Sequence, residues 1–235
     1  MDRTKWIVIV LLCAVGLGGL IYITKKDSVN VDTVDAAKII SSTSTVIGDH
    51  VYGKPDAKVV WFEYGDFQCP GCTAAAPNIK KIAEKYKDKA AFVFRNFPLT
   101  SAHPNALAAS STAEAASLQG KYWEMHDLLF TNHDEWATLS PDTRDEKFKS
   151  YAAQLGLNVD QFTADLTSSK VQRKVQTDRA LGNKVNVTAT PTLFIGAAKA
   201  DGDTLTDNVI NKDGALLMDK LDAALRAAGE TPPAR

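Results

Sequence analysis

The chain has 235 residues, 45% of them hydrophobic and 23% charged, with a formal net charge of -1. A balance this near neutral, without basic clusters, excludes nucleic acid as a principal partner. The length leaves ample material for one core once the N-terminus is set aside.

Residues 1–5 form a short flank, and residues 6–24 carry no charge between Arg3 and Lys5 on one side and Lys25 and Lys26 on the other. As a helix this run spans about 28 Å, close to the hydrocarbon thickness of a bilayer. An uncleaved single membrane helix is expected. A cleaved signal peptide is the competing reading, but the apolar run exceeds a usual h-region and no small-x-small site follows it. Cys13, inside the run, reads as a small buried hydrophobe. Residues 25–47 are polar and small, with Ser and Thr at 41–45, and read as a tether holding a short helix around 34–40. Gly53, Pro55 and Asp56 mark a turn, and residues 58–64 form a strand whose Val59, Val60, Trp61 and Phe62 are apolar in succession, as in a strand covered on both faces.

Cys69-Pro70-Gly71-Cys72 follows that strand and opens a helix in which Ala75, Ile79, Ile82, Ala83 and Tyr86 share a stripe. At a helix start the first thiol points past the helix end. Unpaired N–H groups and the positive end of the dipole there favour its thiolate. Pro70 suits the first turn because its missing N–H has no partner to lose. A structural disulfide and half of a zinc site are the bland alternatives, but structural zinc needs about four ligands and Cys13 is the only other cysteine. Redox chemistry is the reading the strand-loop-helix context favours.

A second strand over 90–97 ends at Pro98, and the spacing predicts a right-handed crossover with parallel strands. Helical segments follow at 105–118, 122–130, 141–156, 158–166 and 170–181. Strand character resumes only at 192–195, after Thr190-Pro191, and residues 214–228 close the chain as an amphipathic helix before a frayed tail at 229–235. The fold class is α/β, interrupted by an all-helical insertion.

Strand, Cys-x-x-Cys, helix, strand, helical insertion, then Thr190-Pro191 and a short strand resembles the thioredoxin fold in its DsbA-like form. The runs 62–70, 103–109 and 123–126 are similar to membrane-anchored or secreted thiol-disulfide oxidoreductases of that family. The resemblance covers residues 48–99 and 187–228 as a thioredoxin-like domain and 100–186 as the insertion. It implies that Cys69 is the nucleophile and Cys72 the resolving thiol, joined as a disulfide at rest, and that no further cofactor or metal is used. It also implies a cis bond before Pro191, with the Thr190 backbone pairing with an extended substrate beside Pro70 and Gly71. Glu63 falls where relatives keep an acidic group under the site, positioned to exchange a proton with Cys72 through a water; the bland reading is a strand-end glutamate facing solvent or pairing with a lysine. Asp66 reads as a turn or cap, His103 as a helix cap rather than a neighbour of the cysteine loop, and His50, His126 and His133 as surface or structural.

The implied activity is introduction of disulfides into exported proteins, with reduced or unfolded proteins as substrates and a quinone-linked membrane protein as reoxidant. The catalytic part is placed outside the cytoplasm, in a bacterial cell envelope. A reductase or isomerase of the same fold, and a binding module with a structural disulfide, are the alternatives. Relatives often carry histidine where Gly71 stands, which leaves the direction of electron flow open.

Overall fold

The apolar run after Lys58 forms strand β2 (Val59–Gly65), every residue of which is buried except half-buried Val60. In a computed structural model of the protein, residues 29–196, 198–199 and 214–234 are described. The segment expected to span a membrane, 6–24, lies outside them; among the described residues no helix is long and apolar enough to cross a membrane.

Strand β2 lies between β3 (Ala90–Asn96), parallel to it from Val59↔Ala90 to Gly65↔Asn96, and β4 (Thr192–Ile195), antiparallel to it. β1 (Val51–Gly53) is antiparallel to β3 at one edge, and β5 (Ala198–Lys199) is antiparallel to β4 at the other. The parallel pair is the crossover predicted from spacing. β1 is absent from the sequence reading because three residues are too short to show a period of two.

Helix α1 (Pro70–Tyr86) buries Cys72, Ala75, Ile79, Ile82, Ala83 and Tyr86, the stripe expected from its three- and four-residue spacing. Between β3 and β4 run α2 (Ala106–Ser117), α3 (Tyr122–Thr131), the short α4 (His133–Trp136), α5 (Pro141–Gln154), α6 (Val159–Asp165) and α7 (Ser169–Lys184). α8 (Ala215–Ala227) packs Leu217, Leu221 and Leu225 inward. The tail begins less loosely than expected: Glu230 pairs with Lys58 at 3.0 Å.

The tether reading needs correction over residues 31–47. Val31 and Ile47 are buried, and turns replace the helix expected around 34–40. The carbonyls of that stretch serve cations instead of a helical ladder. Arg95 donates to the carbonyls of Ala36 at 2.6 Å and Lys38 at 2.9 Å, and Lys184 donates to those of Val31, Asp32 and Val34 at 2.7 to 3.0 Å.

Arg95 also makes a two-pronged pair with Asp49 (2.7 and 3.2 Å) and lies 4.4 Å over the Phe62 ring. Lys174 bridges Asp49 (3.1 Å) and Asp178 (2.6 Å), and both cations are buried. Burial pushes the Asp49 carboxyl up, but Lys174 and Arg95 overcome it and hold the group far below the usual carboxylate range. The cluster ties the N-terminal segment to β3 and to α7.

Candidate active site

Cys69 stands at the N-cap of α1 with extended backbone angles (φ -72°, ψ 124°) and no side chain capping the helix. Its sulfur therefore faces open N–H groups. The thiol donates to the carbonyl of Thr190 at 3.3 Å. Its pKa is brought down to about 5 by the hydrogen bond from Cys72, against the opposing effect of burial, with help from the Thr190 side chain and from the N–H groups of Cys72 and Gly71. Cys72, three residues further into the helix, is fully buried and receives the Asp66 N–H at 3.4 Å. Burial, the hydrogen bond to Cys69, and the charges of Glu63 and Cys69 push its thiol well above the ordinary value. In this structure both sulfurs are free thiols, the reduced form of the pair.

The Thr190–Pro191 bond is cis, as the resemblance implies. A Cβ placed on Gly71 meets Pro191 Cδ and the Thr190 carbonyl at 3.6 Å and Cys69 Sγ at 3.7 Å. These are ordinary contacts, so Gly71 and the cis-proline loop line one small surface around the reactive sulfur. Pro70 is exposed at its rim.

Glu63 is 2% exposed, so the solvent-facing alternative does not hold. Burial, with the nearby Cys69 charge, raises its carboxyl to about 8. No side-chain donor reaches that carboxyl among the described residues. Gly65, two residues on, is required by close packing: a Cβ there would lie 2.3 Å from the Phe94 ring.

Asp66 is the turn residue the sequence suggests, its Oδ1 accepting the Gln68 N–H at 2.8 Å. Its Oδ2 does more, accepting from Leu99 N at 2.9 Å and pairing with His103 Nδ1 at 2.7 Å. His103 is thus a neighbour of the cysteine loop, and the expected cap is overturned: no side chain caps α2. The buried carboxylate, with two donors converging on it, outcompetes the helix end.

Gln68 and Asn105 were not singled out by the sequence. Gln68 donates to the Ala137 carbonyl at 2.7 Å and accepts the Asn105 N–H at 2.6 Å, while Asn105 donates to the carbonyls of Ala137 and Leu139 and accepts from Arg144. The available signal was position, a polar side chain immediately before Cys69. His133 adds a contact from Nε2 to the Gln68 carbonyl at 3.1 Å. His50 pairs with Glu114 at 2.8 Å, and His126 is buried among aromatic rings. None of the three reaches the sulfurs, and the described residues contain no cluster fit to hold a metal.

Residues 45–210 match the family described as thioredoxin. Among solved structures, BdbD from Bacillus subtilis in its oxidised form superposes with a TM-score of 0.62 at 22% identity, covering 80% of this chain and 99% of that one. Alpha-DsbA1 of Wolbachia pipientis gives 0.56 at 27% identity, covering 74% and 94%. The sequence is also 39% identical over 158 residues to Na(+)/H(+) antiporter NhaA 1 of Mycolicibacterium gilvum. That stretch is 66% of this chain and 24% of the antiporter, so the chain spans about a quarter of the length of the curated relatives it matches. Proteins of the DsbA-like kind use their own cysteine pair as the redox group and require no cofactor. The chain belongs to the thioredoxin family, in the DsbA-like form whose fold carries a helical insertion.

Proposed function

We propose that the chain is a protein thiol oxidase that works outside the cytoplasm, held to a bacterial cell membrane by residues 6–24, and introduces disulfides into exported proteins. The observation that carries this reading is the opposite tuning of the two thiols, Cys69 lowered to about 5 and Cys72 raised. A low pKa at the outer sulfur, Cys69, stabilises the reduced form of the enzyme, and a pair more stable when reduced is an oxidant.

In the oxidised enzyme a substrate thiolate attacks Cys69 Sγ. The intermolecular S–S bond forms, the Cys69–Cys72 bond breaks, and Cys72 leaves as a thiolate that takes a proton from Glu63. A second substrate thiolate attacks its partner sulfur in the mixed disulfide and expels Cys69, again as a thiolate. The substrate has lost two electrons and gained a disulfide; the enzyme carries both electrons as its dithiol. A quinone-linked membrane protein then accepts them, and an anchor at 6–24 keeps the two close. Thr190 and Pro191, facing Gly71 and Cys69, offer an extended substrate segment a backbone partner, with Pro70 at the rim; recognition through backbone suits many reduced or unfolded substrates.

Oxidation of a reduced model protein by the Cys69→Ser and Cys72→Ser variants tests this. Cys69→Ser should be inactive, and Cys72→Ser, given glutathione disulfide as the oxidant, should stall as the mixed disulfide at Cys69 because no second thiol resolves it. A dithiol potential nearer about −120 mV than about −270 mV is expected; oxidase activity retained without Cys69 refutes the reading.

A further inference from the structure

Glu63 borders a small cavity of about 30 Å³, room for about one water. The wall of the cavity includes His126 and Asp127 of α3, Lys80 of α1 and Tyr52 of β1. His126 Nδ1 lies 3.2 Å from Asp127 Oδ1, and Asp127 Oδ2 accepts from Lys80 Nζ at 2.5 Å. The Nδ1–H therefore points to the carboxylate and the lone pair is left on Nε2. That Nε2 is buried without a hydrogen-bond partner among the described residues, which a buried imidazole nitrogen rarely tolerates unless a water serves it. His126, Asp127 and Lys80 also line a surface groove of about 480 Å³ along the flank of α1. One ring thus borders both the cavity of Glu63 and open solvent.

The front of the site offers no such passage. Cys72 is fully buried, Glu63 is 2% exposed, and Cys69 only 9%, so a bound substrate closes what opening remains. We infer that His126, with Asp127, is the proton entrance and exit of Glu63, joining that carboxyl to the groove beside α1. This rests on the thiol-oxidase reading. When the enzyme is reduced, Cys72 takes the Glu63 proton. The cavity water passes a proton from His126 Nε2–H to the carboxylate, and Nδ1 regains one from solvent through Asp127. On reoxidation the proton of Cys72 travels the reverse way, from Glu63 to Nε2 and from Nδ1 to Asp127. Each half-reaction moves one proton and restores the tautomer that the other requires.

The groups facing the ring suit a relay. Phe67, Phe94, Trp123 and Phe130 surround it at centroid separations of 4.9 to 5.5 Å, and Tyr122 of its own helix lies at 6.2 Å. Its charged and titratable neighbours are Asp127, Lys80, Glu63, Tyr52 and His50. Burial holds the imidazolium down while Asp127 supports it, so in the reduced enzyme the ring is neutral with Nε2 ready to accept.

The test is rapid-mixing of the reduced enzyme with glutathione disulfide, resolving two steps: attack by Cys69, then release of glutathione by Cys72. His126→Phe keeps the aromatic volume, and should slow the second step about tenfold near neutral pH and flatten its pH profile. The first step and the Cys69 thiolate titration should be unchanged. Asp127→Asn, at a partly exposed position, should slow the same step about threefold and serves if the His126 variant does not fold. Resolution at the wild-type rate across the pH range in Asp127→Asn, or in a folded His126→Phe, overturns the relay. Equal slowing of both steps also overturns it, since that marks a structural role. If the wild-type enzyme itself forms no mixed disulfide through Cys69, the oxidase reading fails instead.

Discussion

The lowered Cys69 pKa makes a quantitative prediction for the redox potential as pH is varied. The disulfide binds no proton at either sulfur. Below about pH 5 the reduced pair holds protons on both, so reduction takes up two protons with two electrons and the potential falls by about 59 mV per pH unit. Above about pH 5 Cys69 is a thiolate while the raised Cys72 remains a thiol, and the slope halves to about 30 mV. The stabilisation of the reduced form therefore grows as pH rises above about 5 and is lost as pH falls through that value. Two pH units above the pKa, it amounts to about 3 kcal/mol. Solvent screening at the partly open sulfur trims this to about 2 kcal/mol, or about 40 mV in the oxidising direction. Glu63 adds a second feature. Its carboxyl titrates at about 8 beside the Cys69 thiolate and lower once the disulfide removes that charge, so the slope should steepen again just below pH 8. Equilibration with glutathione buffers at a series of pH values, with thiolate absorbance followed in parallel, measures both. A single slope of about 59 mV through neutral pH, or an ordinary thiol titration for Cys69, would refute the reasoning.

Glu63→Gln should remove the steepening near pH 8 and slow resolution by Cys72 about ten- to a hundredfold, read in the two-step glutathione assay; an unchanged rate removes Glu63 from proton transfer. Arg95→Ala leaves Asp49 buried with half of its counter-charge gone, and should cost about 3–5 kcal/mol in denaturant unfolding; a loss under about 1 kcal/mol would show that Lys174 suffices. Gly65→Ala drives a methyl to 2.3 Å from the Phe94 ring and should destabilise by about 1–3 kcal/mol, whereas Gly71→Ala meets only ordinary contacts and should fold as the parent does. Calorimetry of the pair decides it, and equal melting temperatures for both would contradict the packing described.

The parts of this molecule legible in the sequence are those written in short-range patterns. The apolar run of β2, the stripe on α1 and the four-residue cysteine motif each sit within one element, so periodicity and capping chemistry expose them. The long helical stretch between β3 and β4 was legible for the same reason. What escaped was written across distance. Arg95 reads as one charge in an apolar strand, and only the fold shows that it draws in Asp49, 46 residues away, and the carbonyls of Ala36 and Lys38. Residues 31–47 looked like a tether because their ties to Arg95 and Lys184 run through backbone carbonyls, which no side-chain pattern announces. His103 was assigned to the helix it precedes, when a carboxylate 37 residues earlier held the stronger claim.

That last pairing bears on why the insertion exists at all. The reactive sulfur is fixed by a loop, residues 66–69, and a loop holds an atom in place only if its own polar groups are tied down. Here nearly every tie leads to the insertion or its approach: Asp66 to Leu99 and His103, Gln68 to Asn105 and Ala137, and the Gln68 carbonyl to His133. The Asp66 N–H that reaches Cys72 belongs to the same turn. The helices between β3 and β4 thus brace the cysteine loop, while Thr190 meets Cys69 itself, and the minimal strand-helix-strand unit lacks that scaffold. Positions such as Asn105 and His133 therefore set the geometry of a sulfur they do not touch.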